Sequence, residues 1–431
     1  MADDGQTILS RKRTYEERNS PGPEDNTSKL KRVCSITEPG SSSEEGVTGN
    51  ESWPASSAPA MSTAKPRSKL TCFRISGIPV KWNKDDLLLA LRSFDPDFND
   101  ARKLSLFPAC SGRTQTALLR LDPLMCSEYF RRIDSTQEQY ELIEGDPDIY
   151  LVIDKHLLGL TPLNTPGDDA IVDVVAVTGL AGHAFGSWCS RKTGCMWLQD
   201  LLPTDLDNMR VMTYGYNSSL TRDIVNHTFV DYRRSFIRAL MDARSENESR
   251  PIIFIGHSMG GILILQVLLQ AKAGTQYRCL FDSTRAISFF ATPHQGLHVK
   301  ELLEMVHDTA SGPTSKIEFI KQLKEGSSFL DSQREDISSL WESSSDIEIA
   351  TFYETKKTPT SSSDAWTRDG ENVQMVNRNS AMLFWPFEHR IPVESDHTDI
   401  VKFPARGNST YGSVVAHMTK CMKRLKDASG E

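Results

Sequence analysis

Residues 251–261 read PIIFIGHSMGG, and this stretch decides the fold of the chain. The apolar run at residues 252–255 predicts a buried strand, and the apolar run that follows the stretch predicts a helix. Between them lies the spacing G-x-S-x-G, which places a serine on a sharp turn from strand to helix. Gly256 and Gly260 lack side chains, so the strand and the helix can approach each other closely. The pattern is that of a nucleophile elbow, and it makes Ser258 the candidate nucleophile.

The stretches on either side of this elbow predict strands and helices in alternation. Strands are expected at residues 170–177, 209–215, 286–291, 346–353 and 373–376, and helices at residues 229–240 and 414–425. This alternation implies a mostly parallel sheet with helices on both faces. Together with the elbow, it predicts an α/β fold of the α/β-hydrolase type.

Two backbone N–H groups are candidates for an oxyanion hole. Met259 follows the serine directly, so the turn aims its N–H at a developing oxyanion. The loop after the strand at residues 170–177 is where this fold takes its second donor, and there we expect the N–H of Leu180.

The catalytic triad of this fold runs in the order serine, acid, histidine. His397 follows the last predicted strand and is the candidate general base, although one of 10 histidines in the chain could equally be a surface residue. Glu354 ends the strand at residues 346–353 and is the candidate acid. Asp346 and Asp396 are alternative acids, and Asp396 adjoins the histidine, which makes an orienting hydrogen bond awkward.

Seven motifs between about residues 160 and 425 carry a resemblance to a known family. They are residues 178–188 (TGLAGHAFGSW), 196–203 (MWLQDLLP), 213–216 (TYGY), 256–260 (GHSMG), 292–296 (TPHQG), 352–355 (FYET) and 396–403 (DHTDIVKF). In this order they resemble the fungal SesB-like serine-hydrolase domain, which is related to serine-active-site-containing and GPI inositol-deacylase-like lipases. The resemblance implies a lipase-like serine esterase, and it also allows a signalling module of the fungal NLR-effector type.

The composition fits a soluble intracellular enzyme. The formal net charge is −8, so the chain has no bulk electrostatic attraction for nucleic acid. Its 8 cysteines show no zinc-site spacing, and no apolar run is long enough to span a membrane. The first residues lack a basic and then apolar signal. We expect a cytoplasmic protein by default, and the resemblance allows peripheral association with the mitochondrion or the endoplasmic reticulum.

Three regions are predicted along the chain. Residues 1–67 are rich in Ser, Pro, Glu, Thr and Gly and are expected to be a disordered tail. Two basic clusters in it lie at residues 11–13 and 29–32. They are either a bipartite nuclear localisation signal or basic residues of a disordered tail without such a role, and we favour the second interpretation. Residues 68–160 are expected to form a small accessory domain, and residues 161–428 the hydrolase.

The small domain has the predicted order β-α-β-β-α-β. Its strands are expected at residues 71–76, 103–107, 115–121 and 149–153, and its helices at residues 85–94 and 123–133. This order indicates a ferredoxin-like fold, which RNA-recognition motifs share. RNA binding needs aromatic residues on the central strands, and there only Phe73 is available. We therefore favour an accessory role or contact with a protein partner over nucleic acid.

Two classes of function compete on this sequence. The first is a serine hydrolase that cleaves an ester, lipid or acyl substrate through an acyl-enzyme intermediate, without metal or cofactor. It is the favoured one, and peripheral contact with a membrane is compatible with it. The second is a catalytically silent module that keeps the fold for interaction. Residues 296–341 contain apolar side chains that either form a lid or pack on the core, and packing is the default expectation.

Overall fold

The computed structural model describes most of the chain after residue 69. The described residues are 70–98, 103–122, 127–135, 141–144, 150–167, 170–218, 227–300, 302–303, 314–341, 346–360 and 371–429. The predicted tail at residues 1–67 and both of its basic clusters lie outside this set. None of the helices in these ranges has both the length and the apolar content that crossing a membrane requires.

The first part of the described chain forms a five-stranded antiparallel sheet with two helices. The elements are β1 (Thr71–Ile78), α1 (Lys84–Phe94), β2 (Leu104–Pro108), β3 (Gln115–Leu121), α2 (Glu128–Ser135), β4 (Glu141–Glu144) and β5 (Tyr150–Asp154). The strand order is β2-β3-β1-β5-β4. Without β4 this is the ferredoxin-like order, so the predicted fold of this part is confirmed. The edge strand β4 was not predicted.

Both faces of the central strands in this small sheet are covered. Phe73 and Ile75 point to the side of the helices, and the ring of Phe73 packs edge-on against Phe130 of α2 with 5.1 Å between centroids. On the opposite face, Cys72 and Leu118 belong to the same buried cluster as the core of the larger sheet. The face on which RNA-recognition motifs stack bases is therefore in contact with the rest of the protein.

The second part of the chain forms a seven-stranded, mostly parallel sheet. The further strands are β6 (Gly159–Pro162), β7 (Val172–Val177), β8 (Met209–Gly215), β9 (Ile252–His257), β10 (Thr284–Phe290), β11 (Glu348–Glu354), β12 (Thr358–Pro359), β13 (Asn372–Val373) and β14 (His389–Val393). The order in the large sheet is β14-β11-β10-β9-β7-β8-β6, and every pair is parallel except the antiparallel pair of β6 and β8. Strand β6 follows β5, the last strand of the small sheet, in sequence and pairs with β8 of the large sheet. The domain boundary expected at residue 160 therefore falls inside β6.

Helices cover both faces of the large sheet. They are α3 (Trp197–Asp200), α4 (Leu202–Asp205), α5 (Phe229–Ala243), α6 (Met259–Ala273), α7 (Arg278–Ser283), α8 (Thr314–Gln322), α9 (Ser328–Trp341), α10 (Arg378–Ala381) and α11 (Ser409–Ser429). One buried cluster contains α5, α6 and α9, and a second contains α11 and the turns after β7. This three-layer arrangement confirms the predicted α/β-hydrolase fold.

The expectation about the last strand was wrong, and the actual last strand was not predicted. Residues 373–376 were expected to form the last strand of the large sheet, but β13 pairs only with β12 in a separate two-stranded ribbon. The last strand of the large sheet is β14, which pairs with β11. It was missed because its five residues, HRIPV, are mostly exposed at the sheet edge and include a proline, so they carry no apolar pattern.

The segment that could have formed a lid packs on the core wherever it is described. Leu323 and Leu330 are buried, and the rings of Phe319 and Phe329 each stack on Phe229 of α5 with 4.6 Å between centroids. The default expectation of core packing is confirmed for these residues, whereas residues 304–313 of the segment lie outside the described residues.

Candidate active site

The turn between β9 and α6 brings its serine into a strained backbone conformation. Ser258 has φ 52° and ψ −127°, a combination that L-residues rarely adopt. A side chain at Gly256 would place its Cβ 2.6 Å from Gly261 Cα, and one at Gly260 would place it 2.3 Å from the carbonyl oxygen of Val177. Only glycine fits at both positions, so the G-x-S-x-G spacing follows from close contact of strand and helix.

Ser258, His397 and Glu354 lie in one hydrogen-bonded chain. His397 Nε2 is 3.0 Å from Ser258 Oγ, and His397 Nδ1 is 3.0 Å from Glu354 Oε2. The histidine lies in the loop after β14, and the glutamate is the last residue of β11. Because both strands run parallel to β9, their carboxyl ends meet at the edge of the sheet where the elbow lies.

The carboxylate of Glu354 is buried and receives several hydrogen bonds. Its side chain accepts from the backbone N–H of Val376 at 2.9 Å and from Gln374 Nε2 at 3.2 Å, both on Oε1. The other oxygen, Oε2, faces His397. These donors satisfy the buried carboxylate and hold its orientation. Sequence reasoning missed Gln374 because the loop after β13 reaches this site only through tertiary packing.

The two alternative acids occupy other places. Asp396 Oδ1 accepts the backbone N–H groups of Thr398 and Asp399, each at 2.9 Å, and so caps the turn that begins at His397. Asp346 is exposed and precedes the first residue of β11, whereas Glu354 is the last residue of that strand. The structure therefore brings Glu354, rather than either aspartate, to the imidazole.

The backbone of His397 is held from two sides. Its N–H donates to Thr358 Oγ1 at 3.0 Å, and its carbonyl oxygen lies 2.9 Å from His257 Nε2. Since a carbonyl can only accept, His257 donates from Nε2. Burial, with a smaller contribution from the neighbouring His397, lowers the pKa of His257 to about 3, so this ring stays neutral. His257 is thus a positioning residue that the elbow motif itself contains.

The loop after β7 lies directly against the serine. A Cβ on Gly179 would lie 2.9 Å from Ser258 Cβ, so the backbone of this loop passes the nucleophile at contact distance. Two hydrogen bonds hold the loop: Tyr216 Oη donates to the carbonyl of Thr178 at 2.8 Å, and the N–H of Ala181 donates to Ser218 Oγ at 3.0 Å. Leu180 lies between these two anchored residues.

The other predicted oxyanion donor, Met259, is the first residue of α6. The first N–H groups of a helix have no acceptor within the helix, and they carry the positive end of its dipole. Both predicted donors, Leu180 and Met259, therefore belong to backbone that adjoins Ser258. No group of three or more His, Cys, Asp and Glu side chains within the described ranges could hold a metal ion.

Comparisons with known proteins show partial relationships. The chain is homologous to part of the protein SERAC1: it is 29% identical to the mouse protein over 149 residues, which cover 30% of this chain and 22% of the mouse protein. The zebrafish protein is 29% identical over 152 residues, which cover 30% and 23% of the two chains. The chain thus spans less than a quarter of the length of these relatives. No protein-family model matches the chain.

Solved structures that the chain resembles include a lipase and a phospholipase. The mature lipase BlEst2 of Bacillus licheniformis is 15% identical, with 60% of this chain and 96% of the lipase covered and a TM-score of 0.39. Phospholipase PlaB of Legionella pneumophila, in complex with thio-NAD, is 14% identical, with 59% and 62% covered and a TM-score of 0.43. The chain's own sheet order and elbow define it as a protein of the α/β-hydrolase fold.

Proposed function

We propose that this protein is a serine hydrolase that cleaves an ester or acyl bond through an acyl-enzyme intermediate. The observation that carries the proposal is the hydrogen-bonded chain from Ser258 through His397 to Glu354, which begins on a strained serine. A serine with a purely structural role in this turn would not require a histidine 3.0 Å from its hydroxyl. Such a histidine would not require a buried carboxylate 3.0 Å from its other ring nitrogen. The three together match the roles of nucleophile, base and orienting acid.

In the acylation step, His397 Nε2 takes the proton of Ser258 Oγ as the oxygen attacks the carbonyl carbon of the substrate. The imidazolium that forms is stabilised by the Glu354 carboxylate at Nδ1, which also fixes the tautomer that leaves Nε2 free to accept. The negative charge moves to the former carbonyl oxygen. We assign the backbone N–H groups of Leu180 and Met259 as its hydrogen-bond donors. His397 then gives its proton to the leaving alcohol or other leaving group.

Deacylation repeats the sequence with water. His397 takes a proton from water, the resulting hydroxide attacks the acyl carbon, and the proton returns to Ser258 Oγ as the acid product leaves. The hydrogen bonds that hold Glu354 and the backbone of His397 keep this geometry through both halves of the reaction. The narrower resemblance to SesB-like esterases, and with it a lipid substrate, stays a prediction that a screen of acyl chain lengths with and without vesicles would test.

The direct test of the mechanism is the variant Ser258→Ala. We expect hydrolysis of p-nitrophenyl esters to fall to the background rate while the melting temperature stays close to that of the wild type. Ser283→Ala is a matched control. Ser283, just before β10, is also buried, and its hydroxyl donates to the backbone carbonyl of Glu248 at 3.1 Å instead of contacting a histidine. Turnover at the wild-type rate by folded Ser258→Ala would overturn the mechanism.

The alternative of a catalytically silent module predicts another outcome. In that case the wild-type protein would show neither ester hydrolysis nor labelling by an active-site probe. The RNA-binding alternative has less support, since the face of the small sheet that would stack bases packs against the hydrolase core, and Phe73 points to α2.

A further inference from the structure

The loop before β14 exposes two aromatic side chains. Residues 383–387, LFWPF, form what we call the aromatic loop. Phe387 is 77% exposed and Phe384 is 52% exposed, and they are the only phenylalanines among the large apolar side chains that are exposed in the described part of the chain. A single exposed apolar residue is ordinary, but two phenylalanines beside a tryptophan in five residues form a patch that needs an explanation.

The aromatic loop is built to hold these rings outward. Phe384 has φ 57°, a backbone conformation that is unfavourable for a bulky residue and that must be held by its surroundings. The buried carboxylate of Glu388 stabilises the loop backbone: its Oε1 accepts hydrogen bonds from Thr351 Oγ1 at 2.6 Å and from the N–H of Leu383 at 3.0 Å. Trp385, between the two phenylalanines, is partly buried and packs against the core. The exposed phenylalanines are thus a defined feature of the fold.

Cationic side chains flank the aromatic loop. Arg390 of β14 lies over the ring of Phe384, with 5.3 Å from its guanidinium carbon to the ring centroid, and ion-pairs with Glu388 at 3.0 Å. Next to it, the ring of His389 lies 6.2 Å from that of His417 in α11. This contact places α11 beside the loop.

The same face of α11 carries further positive charge. Lys420 and Arg424 follow His417 at helical spacing, and both pair with the buried carboxylate of Glu348, the lysine at 3.3 Å. The acidic partners Glu348 and Glu388 lie inside, whereas the ammonium and guanidinium groups reach the surface. Three cations (Arg390, Lys420 and Arg424) stand against two carboxylates (Glu388 and Glu348), which leaves one positive charge in excess, and the solvent-facing groups beside the aromatic rings are the cationic ones.

We propose that the aromatic loop and this cationic surface form an anchor that docks the protein on an anionic lipid surface. Aromatic rings beside arginine are favoured at the boundary between water and lipid, where the rings enter the acyl region and the cations meet the head groups. The charge of the surface selects anionic over neutral lipid. Phe387 is 77% exposed, more than a ring that lines a peptide-binding groove would be, which favours a lipid boundary over a peptide. The anchor does not depend on the triad, so the two proposals fail separately.

The test is co-sedimentation of the full chain with vesicles of phosphatidylcholine alone and of phosphatidylcholine with phosphatidylserine. We expect binding to the anionic vesicles, weakened by high salt, and a decrease of about tenfold or more in the double variant Phe384→Ala/Phe387→Ala. Leu89→Ala is the matched control, because Leu89 is 71% exposed on α1 of the small domain and should not alter binding. Brominated lipids should quench tryptophan fluorescence in the wild type and less in Trp385→Phe.

Lys420→Gln/Arg424→Gln tests the electrostatic part, with the melting temperature as a folding control because Glu348 loses its partners. Weaker binding to anionic vesicles by folded protein supports the proposal, and unchanged binding and salt dependence overturn it. Equal loss of binding in Leu89→Ala would indicate unspecific adsorption and overturn it. It is also overturned if the wild type binds neither vesicle, and a change of oligomeric state in the phenylalanine double variant would then assign the loop to contact between copies of this chain.

Discussion

At the scale of single residues, the central observation is the hydrogen-bonded chain of Ser258, His397 and Glu354. Their positions could be predicted because a motif and the order of strands constrain them: the elbow gives the serine, and the strand ends give the candidate acid and the candidate base. The residues that hold them could not be predicted in the same way. Gln374 and Thr358 reach Glu354 and His397 from the β12–β13 ribbon through tertiary packing, and no local sequence pattern marks them.

The role of the acid can be separated from that of its neighbour. In Glu354→Gln we expect kcat to fall by roughly 10³-fold or more, because an amide cannot stabilise the imidazolium and permits the wrong tautomer. Asp396→Asn should keep nearly wild-type rates, since asparagine can cap the turn as aspartate does. Steady-state ester kinetics of the two variants decide the point, and the reverse order of effects would assign the acid to Asp396.

Buried neutral histidines predict a pH dependence of stability. Burial lowers the pKa of His257 and of His294 to about 3, and that of His417 to about 4. Between these values and the ordinary pKa of about 6.5, the unfolded chain binds protons that the folded protein does not, so stability falls as the pH decreases through this window. At pH 5, each of these histidines lowers the free energy of unfolding by on the order of 2 kcal/mol relative to neutral pH.

Thermal unfolding at pH 7 and at pH 5 measures this dependence. We expect the melting temperature to decrease toward pH 5, and to decrease less in His417→Gln, which has one such group fewer. His227→Gln is the control, since His227 is exposed just before α5 and its ring contacts Tyr232 and not His417. An unchanged pH dependence in His417→Gln would show that this histidine does not resist protonation in the folded state.

At the scale of elements, prediction succeeded where burial imposes a pattern. The central strands β7 and β9 are buried along their whole length, and β10 is buried except at Arg285. All three were predicted, with small errors at their ends. The edge strands β4, β6 and β14 were not predicted. An edge strand has one neighbour and much exposed surface, so its sequence has little need of an apolar pattern.

Arg120 of β3 connects the small sheet to the loop that leads from the oxyanion region. Its guanidinium carbon lies 4.7 Å from the ring centroid of Phe185, and it ion-pairs with Asp200 at 2.8 Å. Asp200 also accepts the N–H of Met196 at 2.8 Å. We expect Arg120→Ala to lower the free energy of unfolding by about 2 kcal/mol, because a charged hydrogen-bond partner is lost in a mostly buried place.

If the loop also positions Leu180, Arg120→Ala should lower kcat more than it changes KM. Arg113→Ala is the control, because Arg113 is an exposed arginine in the hairpin between β2 and β3. Denaturant unfolding and ester kinetics measure the two effects. Wild-type stability and kinetics in Arg120→Ala would show that this contact has no structural role.

At the scale of the whole molecule, the small domain and the α/β-hydrolase-fold domain share buried surface. Cys72 and Leu118 lie in the hydrolase core cluster, Arg74 donates to Thr161 Oγ1 of β6 at 2.9 Å, and β6 itself is a strand of the large sheet. The connection between the two parts is therefore itself a strand of the large sheet and not a free linker.

Removing residues 1–164 therefore should expose apolar surface and leave β8 as a bare edge. We expect lower soluble yield and a lower melting temperature for residues 165–431, whereas removing only residues 1–66 should change neither stability nor ester hydrolysis. A shorter protein that is monomeric and as stable as the full chain would show that the two domains are independent.

The central claim is that Ser258 is an activated nucleophile, and covalent labelling tests it most directly. The full chain is treated with a fluorophosphonate probe, digested, and the modified peptide is identified by mass spectrometry. We expect one adduct, on Ser258, which is absent in Ser258→Ala and strongly reduced in His397→Ala because the proposed base is lost. Absence of an adduct in the folded wild type, or an adduct on another serine that persists in Ser258→Ala, would contradict it.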